Sequence, residues 1–202
     1  MDYNFLKMKI IFATNNQHKA EEIRSLVPGN FHIVSLKQAG IDIDIPEPYD
    51  NLRDNAAAKA RTIHKLTETN CFSEDTGLEV YALNSEPGVH SARYAGDEKS
   101  FSNNIDKLLY NLNGINDRRA RFRTVFCLIL DGDENYFEGT CEGRIAEHIQ
   151  GEKGFGYDPV FIPEGSDKTF AQMDLQEKNV FSHRRKAVDL LVAFLNRMEI
   201  KS

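Results

Sequence analysis

Glu74 and Asp75 stand side by side behind an apolar run, in "CFSEDTGLEVYAL" (71–83). Two adjacent carboxylates repel, and near a core each also costs desolvation. Such a pair asks for a cation. A third acid, Glu47, lies in "IDIDIPEPYDN" (41–51). Hard oxygen donors suit Mg²⁺, which commonly takes one or two carboxylates together with substrate phosphates. An ion there would neutralise triphosphate charge, and an ionised Asp75 could accept the proton of an attacking water. A surface turn with solvated acids is the other reading, and these residues alone leave both open.

Four further stretches carry chemistry. "FATNNQHK" (12–19) delivers a polar loop onto a helix N-terminus, where unpaired N–H groups and the helix dipole favour anions. Thr14 and Asn15 could hydrogen-bond a phosphate and Lys19 adds charge; equally, the loop is an ordinary N-cap. Lys59 interrupts an Ala-rich helix and could reach phosphate oxygens, although a solvated lysine is the common case. "GFGYDP" (154–159) frees the backbone around Phe155, which suits an aromatic presented to a flat ligand, with Asp158 as a hydrogen-bond acceptor. In "KNVFSHRRKA" (178–187), Ser182 reads as an N-cap with His183 and Arg184 in the first helical turn. Cations are unfavourable at that end of a helix. Arg184 offers only donors, so it can hold a 6-oxo purine edge and cannot pair with a 6-amino group. A solvated basic patch is the alternative.

The elements that must position these groups follow from periodicity. Residues 9–13 read as a buried strand, 14–19 as a polar loop, 19–27 as a helix stopped by Pro28-Gly29, and 31–36 as a second strand. This β-loop-α-β opening starts an α/β fold. The spacing predicts a helix over 52–66, with Leu52, Ala56, Ala60 and Ile63 on one face and Asn55 and Lys59 one turn apart on a neighbouring face. A strand over 71–73 is expected to end on Glu74-Asp75. A helix over 100–112 turns Phe101, Ile105, Leu108, Leu109 and Leu112 inward. Two long strands, 119–130 and 136–145, form a hairpin. Residues 151–163 read as a glycine-rich loop. A C-terminal helix starts near Ser182, with Ala187, Leu190, Leu191, Phe194, Leu195 and Met198 on its apolar face.

The chain has 202 residues, 41% hydrophobic and 28% charged, with a formal net charge of −6. That suits one sizeable core and argues against coating a nucleic acid polymer, which needs a basic surface. It leaves room for a small anionic substrate. Of the 3 cysteines, Cys71, Cys127 and Cys141, none forms a C-x-x-C pair; reduced buried thiols in a cytoplasmic protein are expected. No apolar run approaches the ~20 residues of a membrane span. Residues 1–8 are expected to be a short extension before a single domain over 9–198.

Together the five stretches resemble the inosine triphosphate pyrophosphatase family, also called Ham1, over nearly the whole chain. "GFGYDPVF", "TFAQMDLQEKNVFSHRRKA" and "PGVHSARYAG" are its most specific parts. The resemblance implies an elongated two-lobed α/β fold, a long mixed β-sheet flanked by helices, with the active site in the cleft between the lobes, and a homodimer. It implies Mg²⁺-dependent hydrolysis of ITP, dITP and XTP to the monophosphate and pyrophosphate, removing deaminated purines from the nucleotide pool. Matched residue by residue, it implies that Thr14, Asn15, Asn16 and Lys19 contact the triphosphate. Glu47 is the metal-loop acid and Lys59 the helix lysine acting in catalysis. Glu74, Asp75, Thr76 and Gly77 occupy the acidic motif, with Asp75 as metal ligand and proton acceptor. Phe155, Gly156, Tyr157 and Asp158 surround the base, with Lys178, Ser182, His183 and Arg184 reading it.

The chain departs from the family pattern in places. Thr-Asn-Asn stands where glycine commonly takes the second place, Glu74 and Thr76 replace Asp and Ser, and Tyr49 and Leu52 replace a Gly and an aromatic after Glu47. Since adjacent residues of an extended segment face opposite ways, only one of Glu74 and Asp75 is expected to be the principal ligand, namely Asp75. The alternatives are the same chemistry on another nucleoside triphosphate, or a nucleotide-binding module without catalysis.

Overall fold

The computed structural model describes residues 8–29, 31–96 and 101–199, with the side chains of Phe101, Met198 and Glu199 left aside. The expected extension over 1–8 therefore lies outside the described residues except for Met8, and so do the expected inward positions of Phe101 and Met198.

The chain opens with β1 (Met8–Phe12), α1 (Gln17–Leu26) and β2 (Phe31–Ser35), as the alternation of apolar runs dictates. After an irregular acidic loop come α2 (Leu52–Thr67), β3 (Cys71–Val80), the short β4 (Pro87–Gly88) and α3 (Phe101–Asn111). The hairpin strands are β5 (Arg119–Leu130) and β6 (Asp133–Ile145), joined through Asp131 and Gly132, both at positive φ as a tight two-residue hairpin turn requires. Last come β7 (Phe161–Pro163), α4 (Leu175–Phe181) and α5 (His183–Glu199). The mixed sheet runs in the order β2-β1-β3-β5-β6-β7, with β4 beside β3. β1 pairs parallel with both β2 and β3, while β3–β4 and β6–β7 are antiparallel.

The described chain divides into two compact units. The first comprises the described residues within Met1–Asp75, Val125–Glu138 and Lys186–Ser202; the second comprises those within Thr76–Thr124 and Gly139–Arg185.

In the first unit the strands feed two cores in alternation, the period-two rule of a sheet covered on both faces. Ile10, Phe12, Phe72, Phe126 and Leu128 pack with Ala20 and Ile23 of α1 and with Ala187, Val188, Leu191 and Leu195 of α5. Ile11, Ala13, Cys71, Cys127 and Ile129 pack instead with Ala56, Ala57, Ala60 and Ile63 of α2. The Phe12 and Phe72 rings stack at 4.5 Å. α2 is held at its start by Asn51, whose side chain accepts from Asp54 N–H at 2.8 Å, and ends on Glu68 in the left-handed region.

The second unit has its own core, in which Leu78, Val80, Leu108, Phe122, Val160, Phe161 and Phe170 are central. Gly77 admits a close crossing: a Cβ there would lie 2.5 Å from Gly88 O.

One expectation about an element is corrected, and one element is added. The strand expected to stop at residue 73 continues to Val80, so Glu74 and Asp75 are interior strand residues, both buried. And α4 precedes the C-terminal helix as a separate element, started by Asp174 and Glu177 as a reciprocal capping box.

Candidate active site

The alternation of β3 decides where its acids point. Phe72 faces the α1 core and Cys71 the α2 core; Ser73, on the α2 side, donates its hydroxyl hydrogen to Ala56 O. Two residues on from Phe72, Glu74 therefore meets α1, where Lys19 Nζ lies 2.8 Å from its Oε1. Asp75 meets α2, where Lys59 Nζ lies 3.0 Å from its Oδ1. The same ammonium lies 2.5 Å from Glu47 Oε1. The repulsion between neighbouring carboxylates is thus met by two lysines on opposite faces of one strand.

Lys59 is buried, not solvated. Burial works to pull its ammonium down, but the charges of Asp75 and Glu47 outweigh it and leave Lys59 above its ordinary value. Burial pushes the Asp75 carboxyl up; Lys59 opposes this, and the Glu47 charge adds to it. Two carboxylates on one lysine keep a strong negative field around one cation.

The β1–α1 loop is shaped by its own side chains. Asn16 caps α1, accepting from Lys19 N–H at 3.2 Å, and its own N–H donates to Thr14 Oγ1 at 3.1 Å. Asn15 Nδ2 donates to Ile43 O at 3.0 Å, tying this loop to the acidic one. Thr14, Asn15, Asn16 and Lys19 therefore form one local assembly, and Glu47, Lys59 and Asp75 a second. Glu74 joins the first, through Lys19. Among the described residues no three of His, Cys, Asp and Glu form a cluster able to hold a metal ion alone. The donor set at Lys59 is two hard carboxylates, which fits a cation that completes its shell with water and substrate oxygens.

In the second unit, Thr76 Oγ1 donates to Thr124 Oγ1 at 2.7 Å. The glycine-rich loop is folded around Asp158. Its Oδ2 accepts from Phe155 N–H at 2.9 Å and from Lys178 Nζ at 2.8 Å, and both charged side chains are buried. Gly154, at φ +76°, makes room: a Cβ there would sit 2.1 Å from Asp158 Oδ2. Gly156 also takes positive φ, at +62°. The Phe155 ring then lies beneath two cations, with Lys178 Nζ 5.2 Å and the Arg184 guanidinium 5.7 Å from its centroid. Phe155, Asp158, Lys178 and Arg184 are thereby brought together.

The remaining expected residues support that group. Tyr157 is buried, donates its hydroxyl to Ser91 O at 2.9 Å, and has its phenol pushed up by burial. Ser182 caps α5, accepting from Arg185 N–H at 3.2 Å. His183 stacks on Phe122 with centroids 4.8 Å apart. Arg184 is 2% exposed, so a guanidinium in the first turn of α5 is kept out of solvent against the local dipole.

Three contributors are missed by sequence reasoning. Asn55 grips Tyr49 in the acidic loop, Gly154 accommodates Asp158, and α4 presents Lys178. The D-x-x-E spacing of Asp174 and Glu177 was the available signal for α4.

A Ham1 family model matches residues 10–194. A dITP/XTP pyrophosphatase of Christiangramia forsetii is 48% identical, over 94% of this chain and 100% of that protein. One of Porphyromonas gingivalis is 51% identical, over 93% of this chain and 97% of that protein. The solved structure of the Staphylococcus aureus Ham1 protein superposes with a TM-score of 0.86 at 41% identity, covering 94% of this chain and 99% of that one. The chain belongs to the Ham1 family.

Proposed function

We propose that this protein hydrolyses deaminated purine nucleoside triphosphates, ITP, dITP and XTP, to the nucleoside monophosphate and pyrophosphate. The observation that carries this reading is the lysine between two carboxylates, Lys59 with Glu47 and Asp75, in a chain about half identical to dITP/XTP pyrophosphatases.

Phosphate chemistry falls to the first unit. Lys19 and Lys59 are positive charges for phosphate oxygens, and the start of α1 adds N–H donors. Mg²⁺, when bound, would neutralise triphosphate charge, with Asp75 and Glu47 as the residues that hold it. Asp75 accepts the proton of the attacking water, whose oxygen bonds to the α-phosphorus as the bond to the bridging oxygen breaks and pyrophosphate leaves. A carboxyl raised by burial is a stronger base than an exposed one and suits that task. Glu74, on the α1 face with Lys19, orients that lysine.

Base recognition falls to the second unit. Phe155 offers a stacking face, and Arg184 donates to the 6-oxo group, which rejects a 6-amino purine. Asp158 fixes the loop, since its Oδ2 is engaged by Phe155 N–H and Lys178. A homodimer in the cytoplasm completes the reading; three buried free cysteines suit a reducing compartment.

The test is pyrophosphate release from ITP, XTP, GTP and ATP with Mg²⁺ and with a metal-free control. Metal-dependent release favouring ITP and XTP is expected. Equal use of ATP, or release of single phosphate, would overturn the assignment.

A further inference from the structure

The acidic loop over 41–51 contains no strand or helix, yet it must hold the Glu47 carboxylate beside Lys59. Its backbone has few means to do so. Pro46 and Pro48 flank Glu47, so Tyr49 is the first residue after Glu47 with a backbone N–H to give. That N–H donates to Asn55 Oδ1 at 2.9 Å, and Asn55 Nδ2 donates to Tyr49 O at 2.9 Å. One side chain thus takes both backbone groups of Tyr49, as a neighbouring strand would. Asn55 is 1% exposed and Tyr49 is exposed, so the grip lies at the backbone and not at the ring.

Asn55 sits one helical turn before Lys59 on α2. The helix therefore holds the loop at two points: Asn55 at the backbone of residue 49, Lys59 at the side chain of residue 47. We propose that Asn55 is a positioning residue of the site, setting Glu47 against Lys59 and Asp75 and thereby the divalent-cation requirement of the reaction. The proposal rests on the pyrophosphatase reading above. Asparagine alone fits: the same side chain must accept at one atom and donate at the other, at one length. Aspartate has no donor for Tyr49 O, and alanine has neither group.

The test compares the full-length protein with Asn55→Ala, Asn55→Asp and a control, Asn51→Ala, which loses the helix cap and the Asn51–Asp54 side-chain bond but neither contact to Tyr49. In metal-free protein, amide hydrogen exchange at Tyr49 is expected to rise about tenfold or more in both Asn55 variants, with the α2 amides unchanged. The Mg²⁺ concentration that half-saturates pyrophosphate release from ITP is expected to rise about tenfold, with kcat recovering at saturating Mg²⁺, because only the fraction of protein with the loop set binds the ion. Asn51→Ala is expected to change neither. If Asn55→Asp keeps both quantities within about twofold of wild type, the proposal is wrong. Faster exchange with an unchanged Mg²⁺ requirement would overturn it too, since the grip would then not serve the site. If the wild type releases no pyrophosphate, the functional reading fails, while exchange at Tyr49 still decides whether Asn55 holds the loop.

Discussion

Replacing Lys59 with methionine keeps the length of the side chain and deletes the charge that Glu47 and Asp75 share. The Asp75 side chain is 8% exposed, so water cannot take the place of the ammonium. Removing one partner of a buried ion pair costs about 3–5 kcal/mol. Protonation sets a ceiling on that loss. Carrying Asp75 neutral at pH 7 costs about three pH units at about 1.4 kcal/mol each, roughly 4 kcal/mol. The expected loss at pH 7 is therefore about 3–4 kcal/mol, a fall in Tm of roughly 6–16 °C for a chain of this size. The pH dependence has a definite sign. Burial first, and the Glu47 charge after it, hold the Asp75 carboxyl of the folded protein above its unfolded value, and without Lys59 nothing on α2 opposes them. The folded variant then binds the proton more tightly than the unfolded chain, so it loses stability as pH rises. Its deficit against wild type narrows between pH 7 and pH 5, by up to about 1.4 kcal/mol per unit. Thermal melts of both proteins in chelator at the two pH values measure this. A deficit under about 1 kcal/mol at pH 7, or one that widens on acidification, would refute the claim that a buried carboxylate depends on Lys59.

Gly154→Ala forces a Cβ onto Asp158 Oδ2 at a positive φ, so the hold on Phe155 and Lys178 is lost; KM for ITP is expected to rise about tenfold or more in steady-state assays, and an unchanged KM would count against the Asp158 latch. Arg184→Ala removes the proposed donor to the 6-oxo edge, and the preference for ITP over ATP is expected to fall at least about tenfold, the worth of one charged hydrogen bond; an intact preference places base recognition elsewhere. Burial pushes the Cys71 thiol up to about 12 and that of Cys127 up to about 11. Their neutral forms stabilise the fold fully below the unfolded value near 8.5. Stability then falls as pH rises beyond it, by about 1.4 kcal/mol per thiol per unit, which urea melts at pH 8 and pH 10 will read.

Much of this protein is legible in its sequence because its patterns are local. The ββ hairpin announces itself through the long apolar run that ends at Leu130 and the Asp131-Gly132 turn signal after it, and α2 through alanines at helical spacing. β3 is a different case. Glu74 and Asp75 look like a strand end because their lysines, Lys19 and Lys59, are far away in the chain; only tertiary pairing makes interior carboxylates tolerable. Lys59 itself reads as a solvent lysine until Asp75 and Glu47 are seen around it. The three-residue β7 is too short to leave a pattern, and α4 merges by eye with the helix that follows. Asn55 shows the limit most clearly: an amide on an alanine-rich helix says nothing by its spacing about which backbone it will hold. The residues of the proposed site other than Asn55 and Gly154 are those that the sequence singles out. For the two acids and their lysines, which of them touch, and on which face, came from the alternation of one strand.

The central claim is that Asp75 takes the proton of the water that splits the triphosphate. Asp75→Asn, assayed at saturating Mg²⁺ so that a weakened hold on the ion is offset, tests it most directly, because the amide keeps the shape and an oxygen for Lys59 while losing the base. ITP binding, followed by titration, is expected to stay within about threefold of wild type, while pyrophosphate release falls by about 10³-fold, the usual worth of a general base. Turnover within tenfold of wild type at unchanged binding would contradict it.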